Sequence, residues 1–376
     1  MRIEAITPVH IGDGEEIIPW EYSLKGSVIG IYPSQYIISS LRSKLFGLRL
    51  RNTLLELRDM LREEGFKKNF GDFLREKGIN IEPLYAIERK TNLRSGIEYR
   101  SIKSFIKSVE GVYIPGSEVK GALRTIFVFG VLRKELKEGN NRLFMEIREI
   151  IDRTLKEISN LDRRKQKKEW DKASARIEAL VLREGSKNKE DAKYDIFKAV
   201  RVSDSSFMNP SECLYVDSAK VIGSKRATSE PAEFLKPGVS FEIEISIDES
   251  IKKALSKNMK NPYIDLLNMD FLKESALRFY KLILSIDRDF FRRYSSELRS
   301  YPHEKVEEAI NRGDFVLRIG KHQGFLSITL MQVLFLGDKQ LYENLYRKVV
   351  PKFSAEVNKT RKVTSEGEAI GWCKLI

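Results

Sequence analysis

The chain has 376 residues and carries 67 Lys and Arg against 54 Asp and Glu, a formal charge of +13. Apolar residues make up 41%, which excludes a disordered chain, and two cysteines, Cys213 and Cys373, exclude a disulfide scaffold. Three histidines and no C-x-x-C pair argue against a zinc site, and no run approaches the ~20 apolar residues of a membrane span.

Ile3, Ala5 and Ile6 predict a strand that ends at Thr7-Pro8-Val9, followed by a loop at His10-Ile11-Gly12-Asp13-Gly14. Residues 27–32 predict a second strand, closed by Pro33. Leu41, Leu45, Leu48, Leu54, Leu57 and Leu61 recur at helical spacing within residues 35–75, with breaks near Gly47 and Gly65. Residues 89–107 hold Arg89, Lys90, Arg94, Arg100, Lys103 and Lys107 with Glu98 as their single acid. Val112-Tyr113-Ile114 predicts a strand and Pro115-Gly116 a turn. Ser117 is then placed to cap a helix running through Val119, Leu123, Ile126, Phe127 and Val131. Residues 136–190 are charged and helical in pattern, an inserted hairpin with a basic cluster at 163–168.

Strand patterns return at 199–204, 213–216 and 219–222, and Phe241, Ile243, Ile245 and Ile247 alternate with polar residues. Residues 269–299 predict a long amphipathic helix or helix pair. Phe315, Leu317 and Ile319 form another alternating run, which enters the glycine-bounded loop Gly320-Lys321-His322-Gln323-Gly324. The tail, 369–376, predicts a closing strand with Trp372 and Cys373 in the core. This order is α+β, and short strands with interposed helices suit ferredoxin-like units, whose open sheet face can bind RNA.

Four places could carry chemistry. At Tyr113–Arg124 a strand gives way to a helix whose first N–H groups lack internal partners, and these groups and the helix dipole favour an anion. Lys120 and Arg124 share a face four residues apart, while Gly116 and Gly121 leave room for a backbone to approach. No P-loop spacing occurs, and the plain alternative is an ordinary capped helix with solvated cations. The basic run at 89–107 would add salt-dependent phosphate affinity, or is a solvated face. In Gly320–Gly324, Lys321 and His322 could reach a phosphate or sugar, or the segment is a hairpin turn. His10 could act as a base towards an RNA 2′-hydroxyl, and Asp13, beside Glu15 and Glu16, could bind a metal. The plain alternative for His10 is a histidine hydrogen-bonded at a strand end. The positive charge makes nucleic acid a better candidate partner than a membrane surface, although heat-adapted proteins share such Lys- and Glu-rich surfaces. Met1-Arg2-Ile3-Glu4 lacks the apolar core of a signal peptide, so the expected location is the cytoplasm.

Together, Thr7–Gly14, Ile102–Lys107, Tyr113–Arg124 and the Gly320–Gly324 loop resemble the RAMP superfamily of CRISPR-associated RNA-binding proteins. The middle segment is similar to that family's I-P-G-S-x-x-K-G-x-x-R signature. Gly320–Ser327 and Gly371-Trp372-Cys373-Lys374 resemble in particular the Csm-type terminal subunit of type III-A CRISPR effector complexes. The resemblance implies two ferredoxin-like domains. They are expected at 1–198, with helical insertions at about 34–76 and 136–190, and at 199–376, with a helical segment at about 250–312. It implies a non-catalytic subunit that caps the backbone filament at the 3′ end of the guide RNA (crRNA) and assists its maturation, with no cofactor and no metal. The implied partners are crRNA, target RNA, neighbouring RAMP backbone subunits and recruited nucleases.

By this likeness Gly116, Ser117, Lys120 and Arg124 hold guide phosphates; the reading of the residues themselves adds Gly121 and, from the basic run, Arg89, Lys90 and Arg94 as RNA-binding residues. His10 and Gly12 line the same groove, and Gly320, Lys321, His322 and Gly324 shape it. The chain departs from the signature at Glu118, where relatives often carry Ser, and its glycine loop is poorer in glycine than theirs. The backbone subunits cut target RNA with an Asp after the first strand; the setting of Asp13 does not match, so no cleavage is expected. The alternative is a RAMP endoribonuclease using His10 or His322, or a metal held at Asp13.

Overall fold

The computed structural model describes residues 1–62, 69–90, 101–158, 161–224, 229–324, 327, 329–330 and 360–376. The apolar alternation at the N-terminus does make a strand, Arg2–Ala5, and it lies inside a four-stranded antiparallel sheet. Ser240–Glu242 pairs on one side of it, and Trp372–Leu375 on the other, with Phe315–Arg318 beyond. Ile3 sits opposite both Phe241 and Leu375, and all three are buried. The two chain ends are thereby neighbours: Arg2 N–H donates to Ile376 O at 2.8 Å, and Ile376 N–H returns to Arg2 O at 2.9 Å. Trp372 and Cys373 are fully buried, as expected of a closing strand.

A larger mixed sheet of eight strands runs in the order Gly12–Ile17, Ile102–Phe105, Ser229–Leu235, Leu214–Ile222, Tyr85–Arg89, Val28–Ile31 and Tyr22–Lys25, with Arg361–Val363 also pairing Leu214–Ile222. Both sheets draw strands from either side of residue 198. The patterns at 213–216 and 219–222 belong to one strand of nine residues, whose ladder to Ser229–Leu235 continues through Asp217 and Ser218. The alternating run 241–247 is instead divided. Its first part pairs Arg2–Ala5, and Ile245–Ile247 pairs Val200–Val202 in a separate ribbon. Alternation reports one buried face and not the identity of the strand beside it. Val112–Ile114 makes only isolated bridges, from Val112 to Lys107 and to Met208.

The helix Gly116–Lys137 is the central one, burying Val119, Leu123, Ile126, Phe127 and Val131. It packs against Met269–Arg293, with ring centroids 5.7 Å apart for Phe127 and Phe271 and 5.0 Å for Phe129 and Phe279. Each such phenyl removed from water is worth about 1.5–3 kcal/mol. Gly130 sets how closely the helices approach, since a Cβ there would lie 2.1 Å from Ser275 Oγ. The leucine-rich segment folds as Ser34–Lys44, Gly47–Arg62 and Phe70–Glu76 around its own core of Ile37, Leu41, Leu57, Phe70 and Phe73. The break expected at Gly47 is present (φ +55°), and Gly65 lies outside the described residues. Arg142–Glu157 and Arg163–Leu182 form the expected charged hairpin. The α+β class read from the sequence holds. Among the described residues, no helix is long and apolar enough to cross a membrane.

Candidate nucleic-acid interface

Four segments far apart in sequence line one cleft of about 490 Å³. His10 and Ile11 follow the first strand, Gly12, Gly14 and Glu15 lie on the strand Gly12–Ile17 where the glycines predict a loop, and Lys103 and Ser104 come from the strand that pairs with it. Glu118 comes from the first turn of the central helix, and Gly320, Lys321 and Gln323 from the glycine loop. Backbone contacts weld these walls together. Lys321 N–H donates to His10 O at 2.7 Å, and a Cβ on Gly320 (φ +78°) would fall 2.4 Å from that same oxygen. Gly320 N–H donates to Glu118 Oε2 at 3.1 Å, so Glu118 ties the helix to the loop.

His10 is fully buried. Its Nδ1 lies 2.7 Å from Glu233 O, a pure acceptor, so Nδ1 carries the proton and Nε2 points into the interior with no partner. A Cβ on Gly12 would stand 3.2 Å from that Nε2. The His10 ring stacks on His322 at 5.8 Å and 18°. His322 has the opposite tautomer: its Nδ1 accepts from the Lys362 ammonium at 3.0 Å, and its buried Nε2 makes no hydrogen bond but lies 3.7 Å from Glu230 Oε2. Burial lowers the pKa of His10, and burial with Lys362 and His10 nearby takes His322 down to about 3. Both rings are therefore neutral at pH 7. Glu230 bridges Lys321 at 3.1 Å and Lys362 at 3.0 Å. Burial works against its charge, yet the two lysines hold it down to about 2.

Asp13, on the strand Gly12–Ile17, is committed locally, accepting from Glu15 N–H at 2.8 Å and Ser104 Oγ–H at 3.1 Å. Glu16 pairs with Lys103. Among the described residues, no group of three or more His, Cys, Asp or Glu is placed to hold a metal.

The helix starts one residue earlier than expected. Pro115 occupies the N-cap position, and Ser117 is exposed in the first turn without capping anything, because the leading N–H of Gly116 already donates to Asp204 Oδ1 at 2.8 Å. Gly116 is enforced by packing, since a Cβ would lie 2.4 Å from Ser203 O. Gly121 is different: it is exposed, and a Cβ there would meet nothing within 4 Å. Lys120 Nζ donates to Val200 O at 2.6 Å, and burial lowers its pKa. Arg124 turns to the charged hairpin, pairing Glu178 at 2.7 Å and Asp195 at 2.8 Å.

Arg89 donates to Gly26 O at 3.1 Å, and Lys90 pairs Glu366 at 2.8 Å beneath the Tyr215 ring. Arg94 lies outside the described residues, and Gly324 is exposed with φ +82°. The structure thus gathers His10, Gly12, Gly320 and Lys321 at the cleft with His322 against it. Arg89 and Lys90 stand at the end of another strand. Sequence reasoning missed Glu118 as a tether and the buried Glu233, which accepts from Tyr85 OH and Phe105 N–H at 2.8 Å each and pairs Lys107. Its one trace in the sequence is an acid inside the apolar run Ala232-Glu233-Phe234-Leu235.

A family model described as the RAMP superfamily matches residues 2–321. The CRISPR system Cms protein Csm5 of Methanocaldococcus jannaschii is 26% identical over 372 residues, covering 94% of this chain and 78% of that protein. Its namesake in Mycobacterium tuberculosis H37Rv is 24% identical over 271 residues, 66% of each. Among solved structures, the crystal structure of T. onnurineus Csm5 superposes with a TM-score of 0.72 at 21% identity over the whole of both chains. A chain of the cryo-EM Csm–crRNA–target RNA ternary complex of a type III-A system gives 0.71 at 23% identity, covering 100% of this chain and 99% of that one.

Proposed function

This chain belongs to the RAMP superfamily, and from that membership we propose that it is the terminal RNA-binding subunit of a type III-A CRISPR ribonucleoprotein. In this reading it sits at the 3′ end of the guide RNA and does no cutting of its own. Its partners are crRNA, target RNA and the neighbouring RAMP backbone subunits, with nucleases recruited for guide maturation. Relatives that bear the name Csm5, and a fold shared with a chain of a Csm–crRNA–target RNA complex, support it.

The observation that carries the reading is the convergence of four separate segments, residues 10–15, 103–104, 118 and 320–323, on one cleft. These are the segments on which the family likeness rests. Gly121 lies three residues from Glu118 on the same helix face and leaves open space where a sugar-phosphate backbone can approach. A cutting role needs a general base within reach of a 2′-hydroxyl. The His10 ring is fully buried and the His322 side chain is 2% exposed, which favours the non-cutting reading.

The test is a titration of single-stranded RNA at several salt concentrations, with and without Mg²⁺, that also follows RNA length. Intact RNA, bound with an affinity that falls steeply with salt, is expected, and Lys120→Ala should reduce the salt slope by about one. Shortened RNA would overturn the non-cutting assignment, and salt-insensitive binding would overturn the phosphate contacts.

A further inference from the structure

The central helix is approached through a short ribbon whose outward side chains play no part in the contacts above. Val112 and Met208 exchange N–H···O bonds of 2.9 and 3.0 Å. Ile114 N–H donates to Ser205 Oγ at 2.9 Å, and Ser205 N–H to Ile114 O at 3.0 Å. Val112 and Ile114 are buried, so extended-chain alternation turns Tyr113 to the opposite side. There its ring meets Phe207 edge to face, 5.5 Å between centroids at 62°. Phe207 is left 43% exposed. At the end of the same ribbon Val109 stands fully exposed on a turn in which Ser108 N–H donates to Gly111 O at 2.9 Å. Gly111 (φ +141°) presses this turn against the second segment, for a Cβ there would lie 2.5 Å from Met208 O. The aromatic pair is therefore held on a rigid support.

We propose that Tyr113 and Phe207 form a stacking platform for an unpaired RNA base, immediately upstream of the helix Gly116–Lys137. The proposal rests on the RNA-binding reading and adds a base contact to it. Tyr113 lies four residues before the exposed Ser117, so a strand that runs along the helix start passes the two rings. An edge-to-face pair engages the edge of one ring and leaves ring faces for a further planar group. Bases stack on such faces whatever their identity, as a subunit that carries many different guides requires.

The charge around the platform keeps phosphate off the rings themselves. Glu110 adjoins Val109, Asp204 is bound to Gly116 N–H, and the exposed Glu242 donates its N–H to Ser206 Oγ. This acidic margin repels phosphate and leaves an uncharged base face as the suitable contact. A protein partner of ordinary size needs about 800 Å² per side. On residues 108–114 and 205–208 the large apolar side chains that are exposed are Val109 and Phe207, far short of that area.

The experiment is fluorescence anisotropy with a single-stranded RNA oligomer and with the same oligomer made abasic throughout. It compares the wild type with Phe207→Ala, Phe207→Leu, Phe207→Tyr and Tyr113→Ala, each checked by thermal melting. Phe207→Ala, Phe207→Leu and Tyr113→Ala should each weaken the intact oligomer by about fivefold or more, with an unchanged salt slope. Phe207→Tyr should stay within about twofold, since its ring still offers a stacking face. The abasic oligomer should bind all folded variants alike. Equal affinity of wild type and Phe207→Ala for the intact oligomer, with salt-sensitive binding preserved, would overturn the platform and leave the RNA-binding reading standing. Retained RNA affinity with lost co-purification of a backbone subunit would reassign the pair to a protein contact and overturn it as well. A wild type that binds neither oligomer would remove both readings together.

Discussion

Glu118 stands where related signatures often carry a neutral Ser, and its carboxylate takes the Gly320 N–H at 3.1 Å inside the cleft. Glutamine at this position keeps an acceptor for that N–H and removes the charge that opposes a guide phosphate. Glu118→Gln should therefore raise RNA affinity by about twofold to fivefold at low salt, and by less as salt screens the site, in the same titration. Unchanged affinity at low salt would mean that phosphate does not come near this carboxylate. The stacked His10 and His322 make a second expectation at this scale. Their native pKa values lie below the unfolded value of 6.5, with His322 at about 3. Between these limits the unfolded chain binds more protons than the native one, so stability is lost as pH falls below about 6.5. Glu230, held to about 2, has its own window below its ordinary 4.5. The drop between pH 6.5 and 5 thus belongs to histidine. Urea midpoints measured across that range should fall less for His322→Asn, whose side chain tolerates the left-handed φ of +73° at this position. Each ring was visible in the sequence as a candidate base. Their contact was not, because nothing local links a loop after the first strand to one after the penultimate run of the chain.

The central helix shows what periodicity can and cannot give. Val119, Leu123, Ile126 and Phe127 mark its buried face correctly, and that face meets Met269–Arg293. The start moved from Ser117 to Gly116 because Asp204, remote in sequence, supplies the acceptor that a cap would have offered. The two interior glycines look alike as letters and differ in space. At Gly130 an added Cβ lands 2.1 Å from Ser275 Oγ and 2.8 Å from Ser275 Cβ, so Gly130→Ala should destabilise by about 1–3 kcal/mol. At Gly121 the space is open, so Gly121→Ala should stabilise the folded protein by about 0.5–1 kcal/mol through helix propensity. The same change puts a methyl group where RNA approaches, and RNA affinity should fall. Urea unfolding and RNA titration on the two variants read these effects separately. A Gly121→Ala variant that is more stable and binds RNA as well as wild type would show that no backbone comes close there.

At the scale of the whole molecule, the α+β class and most elements were legible because local pattern sets them, whereas sheet order was not. The strand Arg2–Ala5 is completed by Trp372–Leu375 from the other end of the chain, and no local signal encodes a pairing between chain ends. That pairing also builds the cleft. Gly371 N–H donates to Pro8 O and Ile319 N–H to Gly371 O, both at 2.8 Å, so the N-terminal loop and the glycine loop hang from the closing strand. Trp372 locks this junction, with Arg318 4.8 Å above its ring, Tyr280 5.0 Å away and His303 5.5 Å away. Trp372→Ala should destabilise by about 3–5 kcal/mol in urea unfolding, as a large buried side chain leaves a cavity. Because the same junction holds both cleft loops, RNA affinity should fall as well at temperatures where the variant is still folded. A variant that loses stability yet binds RNA like the wild type would separate the cleft from the sheet that carries it. A loss of both would mean that the packing of the two chain ends, and not the cationic residues alone, sets the geometry presented to the guide.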